Sequence, residues 1–502
     1  MSCLSNSHRQ PAPSRRDFLK QSSLLLGSAT ALGLPLARSV HAAGSDTLRV
    51  GLIGCGGRGA GAAVNALNAD PHAQLVALAD VFPDMLRATR ANLQAAKPQQ
   101  MAVDDEHCFV GFEAYRDVIA CADVVLLALP TYFHPIYLKA CIDAGKHVFC
   151  EKIHALDAPG VKLVLEAGEV ARQKGLSIVS GLAWRYHTGV QETMKRVLDG
   201  AIGRVTTIEE TCNTGSLRSR PRQPGWSEME YQLRDWYNFG WLAGDLPGLN
   251  LVHNLDKAAW AMREEPPLHA WGMAGRQTRV GPQYGDAWDH FAVVFEYANG
   301  TKMYAYCRQQ DGCLPSIADR FIGTKGTCDL LACRIDGENP WRYAGPDCNR
   351  FDLEHVALFR AIRSGEPVNN TLYMARSSML AIMTTWAGYS GRLITWDQAM
   401  TSPYAIAPQC LALDAEPPTK PDAEGNYPLP TPGAAPLPTA ELGDVNLSVC
   451  LRLAGTTVGT KGVCSAAETT QIFVERRVEA KRRRPIRSGH RRQRVGRRFR
   501  RE

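Results

Sequence analysis

Residues 48–70 read LRVGLIGCGGRGAGAAVNALNAD: a short apolar strand, a loop with glycines at 54, 56 and 59, then a stretch of helix-forming composition. Each glycine has a distinct physical task. Gly54 permits the tight turn out of the strand. Gly56 lets backbone approach a pyrophosphate. Gly59 lets helix and strand pack closely, while the helix N-terminus offers unpaired N–H groups to phosphate oxygens. A second strand, QLVALAD, ends in Asp80, 26 residues after Gly54. That is near the spacing at which an acidic side chain reaches the hydroxyls of an adenosine ribose. A carboxylate there repels a 2′-phosphate, and Val81 and Phe82 supply no arginine for one, so the loop favours NAD over NADP. The flanking strand and helix distinguish this loop from a glycine-rich surface turn.

The strand–helix rhythm continues. DVVLLALP (123–130) is a continuous apolar run, as expected of a parallel strand covered on both faces. YFHPIYLKACIDAG is helical up to Gly145, and KHVFCEK is a strand. A helix over Pro159–Lys174 follows with Asp157 as its N-cap, and LSIVSG is a sixth strand. This alternation predicts a doubly wound parallel α/β sheet over residues 47–182. Ligands of such sheets bind at the carboxyl ends of the strands, which here supply Gly54, Asp80, Pro130, Thr131, Glu151, Lys152 and Gly181. A lysine at such an end reaches a substrate hydroxyl and stabilises developing alkoxide charge. A surface lysine lying along apolar surface is the ordinary alternative.

Residues 183–403 change character. RVTTIEETCN, PPLHAWGMAGR, DHFAVVFEYANGTKMYAYCR and DRFIGTKGTCDLL alternate apolar and polar residues, with a hairpin turn at Ala298–Gly300. They predict an α+β domain with a large, mostly antiparallel sheet, one face covered and one open. Among these strands lies GDLPGLNLVHNLDKAAWAM. Asp245 suits an N-cap and Pro247 a first helical turn. Asn250, His253, Asp256 and Trp260 share one helical face. A neutral imidazole there can take a hydroxyl proton; a core histidine with a satisfied hydrogen bond is the plainer reading. Arg185 and Tyr186, in WRYH, suit stacking on and hydrogen bonding to a sugar, or equally a packed interface.

Taken together, GLIGCGGRG, ALPTYFHPIYLKACIDAGKHVFCEK, DGAIGRV, LVHNLDKAAW, FIGTKGT and GRLITWDQAM resemble the Gfo/Idh/MocA oxidoreductases, a superfamily that also holds the NAD-dependent glycosidases of family 109. The resemblance implies a tightly held NAD bound by Gly54, Cys55, Gly56, Gly57, Arg58, Gly59, Asp80, Pro130, Thr131, His134, Glu151 and Lys152. It implies Lys152 and His253 as catalytic residues and Arg185, Tyr186 and Asp256 on the side of a carbohydrate substrate. A homo-oligomer built on the open sheet is also implied. Two positions depart from the family pattern. Ile153 replaces the proline after Glu-Lys, and Leu249 stands where an acidic residue usually precedes the histidine by one turn. Asp256 is a candidate substitute for that acid. Three activities fit these residues: a net oxidoreductase, a glycosidase that oxidises, eliminates, adds water and reduces again, and a non-catalytic binder.

The ends carry other signals. Ser14–Lys20, SRRDFLK, followed by an apolar run to Leu36 and the small-residue site Val40-His41-Ala42, matches a twin-arginine export signal over residues 1–43. It predicts recognition by the twin-arginine translocation machinery and a periplasmic or other extracytoplasmic protein outside the membrane. That route carries folded proteins, so a cofactor can be loaded before export. Residues 404–502 are Pro-rich, then Arg-rich, and are expected to be disordered. The net charge of +7 belongs to this end: residues 476–502 hold 14 Lys/Arg and 2 Asp/Glu, leaving 43 basic and 48 acidic residues in the rest. Nucleic acid is therefore not an expected partner of the folded body. The 15 cysteines show no CxxC pair. No metal site is expected, and Cys55, Cys121, Cys141 and Cys150 read as buried thiols. HExxH and G-x-S-x-G are lacking, which leaves zinc and serine hydrolases without support.

Overall fold

The computed structural model of the chain describes residues 46–217 and 219–435. The export signal and the arginine-rich run lie outside the described residues. The first sheet is built from β1 (Leu48–Ile53), β2 (Ala73–Asp80), β3 (Cys108–Val110), β4 (Val124–Leu127), β5 (His147–Cys150) and β6 (Ile178–Ser180). The connecting helices are α1 (Gly57–Ala69), α2 (Pro83–Ala96), α3 (Tyr115–Cys121), α4 (His134–Asp143) and α5 (Ala158–Lys174). Strand order is 3-2-1-4-5-6 with every pair parallel, the doubly wound arrangement that the apolar runs predicted. Residues 124–127 are wholly buried, as helices on both faces require. Asp157 caps α5 as expected, accepting from Gly160 N at 2.7 Å. The order reverses between β1 and β4, and that reversal opens a crevice at their carboxyl ends.

The second half contributes α6 (Thr188–Leu198), β7 (Val205–Thr214), α7 (Glu228–Arg234), α8 (Gly240–Ala243) and α9 (Val252–Ala261). Strands β8 (His269–Gly275), β9 (His290–Glu296), β10 (Lys302–Gln309), β11 (Ser316–Gly323), β12 (Gly326–Asp329), β13 (Arg334–Gly337) and β14 (Trp341–Arg342) follow. Helices α10 (Arg350–Ser364) and α11 (Thr371–Ser390), strand β15 (Ile394–Thr395) and helix α12 (Trp396–Thr401) complete it. Nine strands form one sheet, ordered 14-13-12-11-7-10-9-8-15. Only β7 and β10 pair in parallel; the other neighbours are antiparallel. Strict alternation puts Phe291, Val293 and Phe295 of β9, and Met303, Ala305 and Cys307 of β10, into one core with α9 and α11. Met273, Tyr306 and Ile317 stay exposed, so the expected open face is present. Among the described residues no helix is long and apolar enough to cross a membrane.

Three sequence expectations need correction. Asp245 does not cap the helix before His253. It takes a positive φ of 56° after Gly244, and its buried carboxylate accepts from Leu246 N, Trp288 N and Tyr389 Oη. Proximity to a strand and to α11 outweighs the local capping preference. Cys121 is only partly buried, unlike Cys55, Cys141 and Cys150. Residues 404–435, expected as a disordered tail, are extended but packed. Ile406, Leu411 and Leu413 lie against an apolar cluster that includes Trp241 and Tyr427. Ser227 Oγ donates to Leu413 O, Gln232 Nε2 to Thr419 O at 2.8 Å, and Tyr427 Oη to Glu228 Oε1 at 2.5 Å. Prolines suit such a strap, because extended backbone without a ladder needs few N–H donors.

Beneath the strap lies a cavity of about 580 Å³ lined by Trp241, Trp386, Tyr389, Tyr404 and Asp286, among others. Burial pushes the Asp286 carboxyl from 3.8 up to about 7, although Gly240 N donates to it at 2.7 Å. Its folded pKa lies above the unfolded one, so stability is lost as pH rises from about 3.8 through about 7. Asp286→Asn removes that loss while keeping an acceptor for Gly240. Thermal melts at about pH 4.5 and about pH 8 should show the variant gaining on the wild type at the higher pH. An unchanged gap would contradict the assignment.

Candidate active site

The crevice begins at the glycine loop. Gly54 has a φ of +99°, and a Cβ there would lie 2.2 Å from Ala128 O; at Gly59 it would lie 1.9 Å from Gly54 O. Both neighbours are backbone, so neither position admits a side chain. Nothing stands within 4 Å of a Cβ at Gly56 or Gly57, which leaves the inner face of the loop open to a ligand. The adjoining cavity, about 210 Å³, is lined by Gly54, Gly56, Gly57, Arg58, Gly59, Asp80, Leu129 and Pro130, with Arg220, Arg234, Trp236 and Tyr237 opposite. Asp80 accepts from Cys55 N at 2.7 Å and from Phe82 N at 2.8 Å, which fixes the carboxylate at the end of the crevice. Each oxygen keeps a free lone pair for a ribose hydroxyl. Cys55 therefore contributes its backbone, while its buried thiol turns to Ala79 O.

At the end of β5 the chain turns toward the second domain. Glu151 is buried and held by Arg58, Nε to Oε1 at 2.7 Å. The Lys152–Ile153 peptide is cis. Lys152 Nζ donates to Leu249 O at 2.5 Å. That carbonyl belongs to a π-helical turn, Pro247–Leu251, leading into α9. Wider turns of this kind recur at functional sites, because they redirect main-chain groups. The position that lacks the expected acidic side chain thus meets Lys152 through its carbonyl. Burial pulls the Lys152 ammonium below its usual pKa, with Glu151 opposing. His253 lies one turn beyond Leu249. Burial, then the cations Lys152, Lys257 and Arg350, push its imidazole well below 6.5, so it is neutral. Its Nδ1 is buried with no hydrogen-bond partner.

Other expected site residues are placed elsewhere. Asp256 does not orient His253. It is 1% exposed and accepts from Arg185 Nη2 at 2.7 Å and Ser377 Oγ at 2.8 Å. Arg185 also meets Glu264 at 2.7 Å and stacks over Tyr373 at 4.1 Å. Its Nε and Nη2 are committed to Asp256 and Glu264. Tyr186 donates to Asn370 Oδ1 at 2.7 Å. His134 is fully buried and braces two loops, with Nδ1 2.6 Å from Ile153 O and Nε2 accepting from Leu129 N. Thr131 is buried in the turn before α4. Partners of Asp256, Tyr186 and His134 lie on α11, in the turn before it and in the turns after β4 and β5.

Other groups were missed. Trp236, Tyr237 and Arg234 line the crevice from the second half of the chain. Arg350, the first residue of α10, stacks over Trp184 at 4.0 Å and Phe351 at 4.6 Å. Lys257 Nζ lies 2.9 Å from Asp319 Oδ2 and 5.0 Å from the Trp184 ring. Apart from Arg350 over its neighbour Phe351, these contacts span long sequence separations, and no local spacing encodes them. Among the described residues, His187, Asp347 and Cys348 bring potential metal-ligand atoms within 4.8 Å of one another. His187 Nδ1 accepts from Val190 N, and Cys348 Sγ from Thr188 N and Oγ1, so these atoms serve the start of α6.

The glycine cradle, with the Asp80 carboxylate at its end, has the form of a dinucleotide crevice, and an open second sheet completes the fold. Residues 48–176 match the family model described as an oxidoreductase family with an NAD-binding Rossmann fold. The match is confined to the first, doubly wound half of the chain, which is similar to the Gfo/Idh/MocA oxidoreductases. The chain is 28% identical over 256 residues, 51% of this chain, to an inositol 2-dehydrogenase of Rhizobium meliloti. It is 31% identical over 243 residues, 44% of this chain, to a glycosyl hydrolase family 109 protein of Solibacter usitatus. The matches span 66% and 51% of those relatives' own lengths. Among solved structures, the aldose-aldose oxidoreductase of Caulobacter crescentus superposes with a TM-score of 0.55 at 20% identity, covering 70% of this chain and 99% of that one. A levoglucosan dehydrogenase in complex with NADH and levoglucosan gives 0.53 at 17%, covering 70% and 99%. At these identities the likeness is one of fold.

Proposed function

We propose that the protein is an NAD-dependent oxidoreductase moving hydride between a CH–OH carbon of a sugar, polyol or glycoside and a tightly held nicotinamide cofactor. One observation carries the reading: Lys152, at the end of β5, donates to Leu249 O in the turn that leads into α9, and its charge reaches His253 one turn on, the histidine neutral and with Nδ1 unpartnered. The glycine loop, the start of α1 and Asp80 would hold NAD, and a 2′-phosphate would face the Asp80 carboxylate. Bound NAD supplies the hydride acceptor. The chain's own residues manage the proton. Lys152 donates to the substrate oxygen and stabilises its developing negative charge. His253 takes the hydroxyl proton in oxidation and returns it in reduction. Trp236 and Tyr237 limit water at the crevice.

The segment SRRDFLK supports export of the folded, cofactor-loaded chain by the twin-arginine route, and the exposed Met273, Tyr306 and Ile317 support subunit contact through the open sheet. To test the reading, the full chain is purified, bound nicotinamide is identified by absorbance and mass, and sugars and aryl glycosides are screened. Net NADH formation is expected. Released aglycone without net NADH would shift the reading to the glycosidase, which the Solibacter relative supports. Neither cofactor nor turnover would sink both.

A further inference from the structure

We infer that the substrate carries an anionic oxygen group, a carboxylate or phosphate on the sugar or polyol, and that Arg350 binds it. This rests on the oxidoreductase reading above and narrows its substrate class.

Arginines in this protein are commonly stacked on a ring and paired with a carboxylate. Arg185 stacks on Tyr373 and holds Asp256 and Glu264. Arg58 lies over Phe351 and holds Glu151. Arg234 lies over Phe82 and holds Asp84 and Glu230. Arg350 has the stacking without the pairing. Its guanidinium is fixed over Trp184 and Phe351, yet it makes no hydrogen bond or ion pair with any described residue, and its Nε is buried without a partner. Stacking pre-organises the planar fork at little cost to hydrogen bonding, which is what bidentate recognition of a carboxylate or phosphate requires.

Its location follows from shared neighbours. Trp184 carries Arg350 and also Lys257, and Lys257 is one helical turn from His253 on α9. The charge of Arg350 reaches the His253 imidazole. Arg350 does not line the dinucleotide cavity, where the glycine loop and the start of α1 already serve the phosphates. The local charges then sort themselves. Arg58 is answered by Glu151 and Lys257 by Asp319. Glu354, one turn along α10, is buried with both oxygens unpartnered; burial, then Glu151, drive its carboxyl well above the usual range, which disfavours the charge that would answer Arg350. Of the two cations beside His253, Lys152 has Glu151 next to it, and the second, Arg350, feels Glu354 and the exposed Asp347 but has no carboxylate in contact among the described residues. A substrate with an anionic group satisfies the second while Lys152 serves the reacting hydroxyl.

The holoprotein is assayed by NADH absorbance on matched sets: galactose, galacturonate and galactose 6-phosphate, and the corresponding gluco series. Wild type should favour an acid over its neutral counterpart by at least about 10-fold in kcat/KM. Arg350→Met should raise KM for that acid about 30-fold or more, leave neutral-sugar kcat/KM within about 3-fold, and leave bound NAD unchanged; Arg350→Lys should restore part of the affinity. Whether uronate or phosphate is preferred tells the two sources of the anion apart. If turnover is slow, a melting-temperature rise of the holoprotein with the acid, lost in Arg350→Met, reads the same interaction. Equal turnover of acid and neutral sugars, or a variant that sheds NAD or loses all substrates equally, would overturn the inference while leaving the oxidoreductase reading intact. Absence of NAD and of all turnover is the separate failure of that reading.

Discussion

Lys152→Met is expected to lower kcat by about 10²–10⁴-fold while leaving bound NAD and the unfolding midpoint close to wild type. The Lys152 ammonium makes one hydrogen bond among the described residues, to Leu249 O, and burial already disfavours its charge. Methionine fills a similar volume without that charge, so the exchange relieves desolvation as it removes the contact. The two effects on stability oppose each other. Catalysis has no such compensation, because nothing else at the end of β5 can donate to the reacting oxygen. Glu151 is an acceptor bound to Arg58. The check is a set of three measurements on one preparation: nicotinamide content, denaturant midpoint and steady-state kinetics. Activity within about threefold of wild type would remove Lys152 from the reaction.

The largest effect on stability should come from Lys257→Met. Lys257 and Asp319 are both essentially inaccessible and 2.9 Å apart. Asn254 Nδ2 donates to the second carboxylate oxygen at 2.8 Å, and Glu210 faces Asp319 across the register of β7 and β11. Removing the cation leaves a buried acid cluster uncompensated, a loss of about 3–5 kcal/mol. The reverse change should cost less. Burial and Asp319 hold the Glu210 carboxyl well above its usual pKa, so it is a spare acid. With Asp319→Asn, Glu210 can ionise and take over as the partner of Lys257. The double change Lys257→Met with Asp319→Leu should recover most of the loss, since apolar replacements need no partner. Urea unfolding at unchanged m-value measures all three. Equal costs for the two single changes would contradict the role of Glu210.

Much of the architecture was readable from the chain. Apolar runs without alternation gave the parallel strands, and alternation gave the one-faced second sheet, because sheet burial acts residue by residue. The glycine loop was legible for a similar reason: a turn with φ of +99° and backbone contacts near 2 Å excludes a side chain locally. Lys152 could be marked as a candidate from its place at a strand end, and His253 only through the family resemblance, because a helical histidine reads first as a core residue. Their partners could not. Leu249 engages Lys152 through its carbonyl, which no side-chain pattern records. Arg185, Tyr186 and Asp256 had suitable chemistry, but α11 supplied Ser377 and Tyr373, and the turn before it Asn370, to occupy them. Arg350 and Glu354 sit on α10, and no local pattern there foretells the stacking of Arg350 on Trp184.

The strap over residues 404–427 also sets an order of events during synthesis. Its bonds to the segment that roofs the crevice join residues 186, 187 and 199 positions apart. A chain made from its N-terminus displays the glycine loop long before Leu413, Thr419 and Tyr427 exist. A dinucleotide that arrives early meets an unroofed crevice, whereas one that arrives after termination meets a fastened one. Cofactor occupancy would then be set by the nucleotide supply where the chain is made, and a preparation stripped of NAD should refill faster when unfolded and refolded with NAD than when merely soaked.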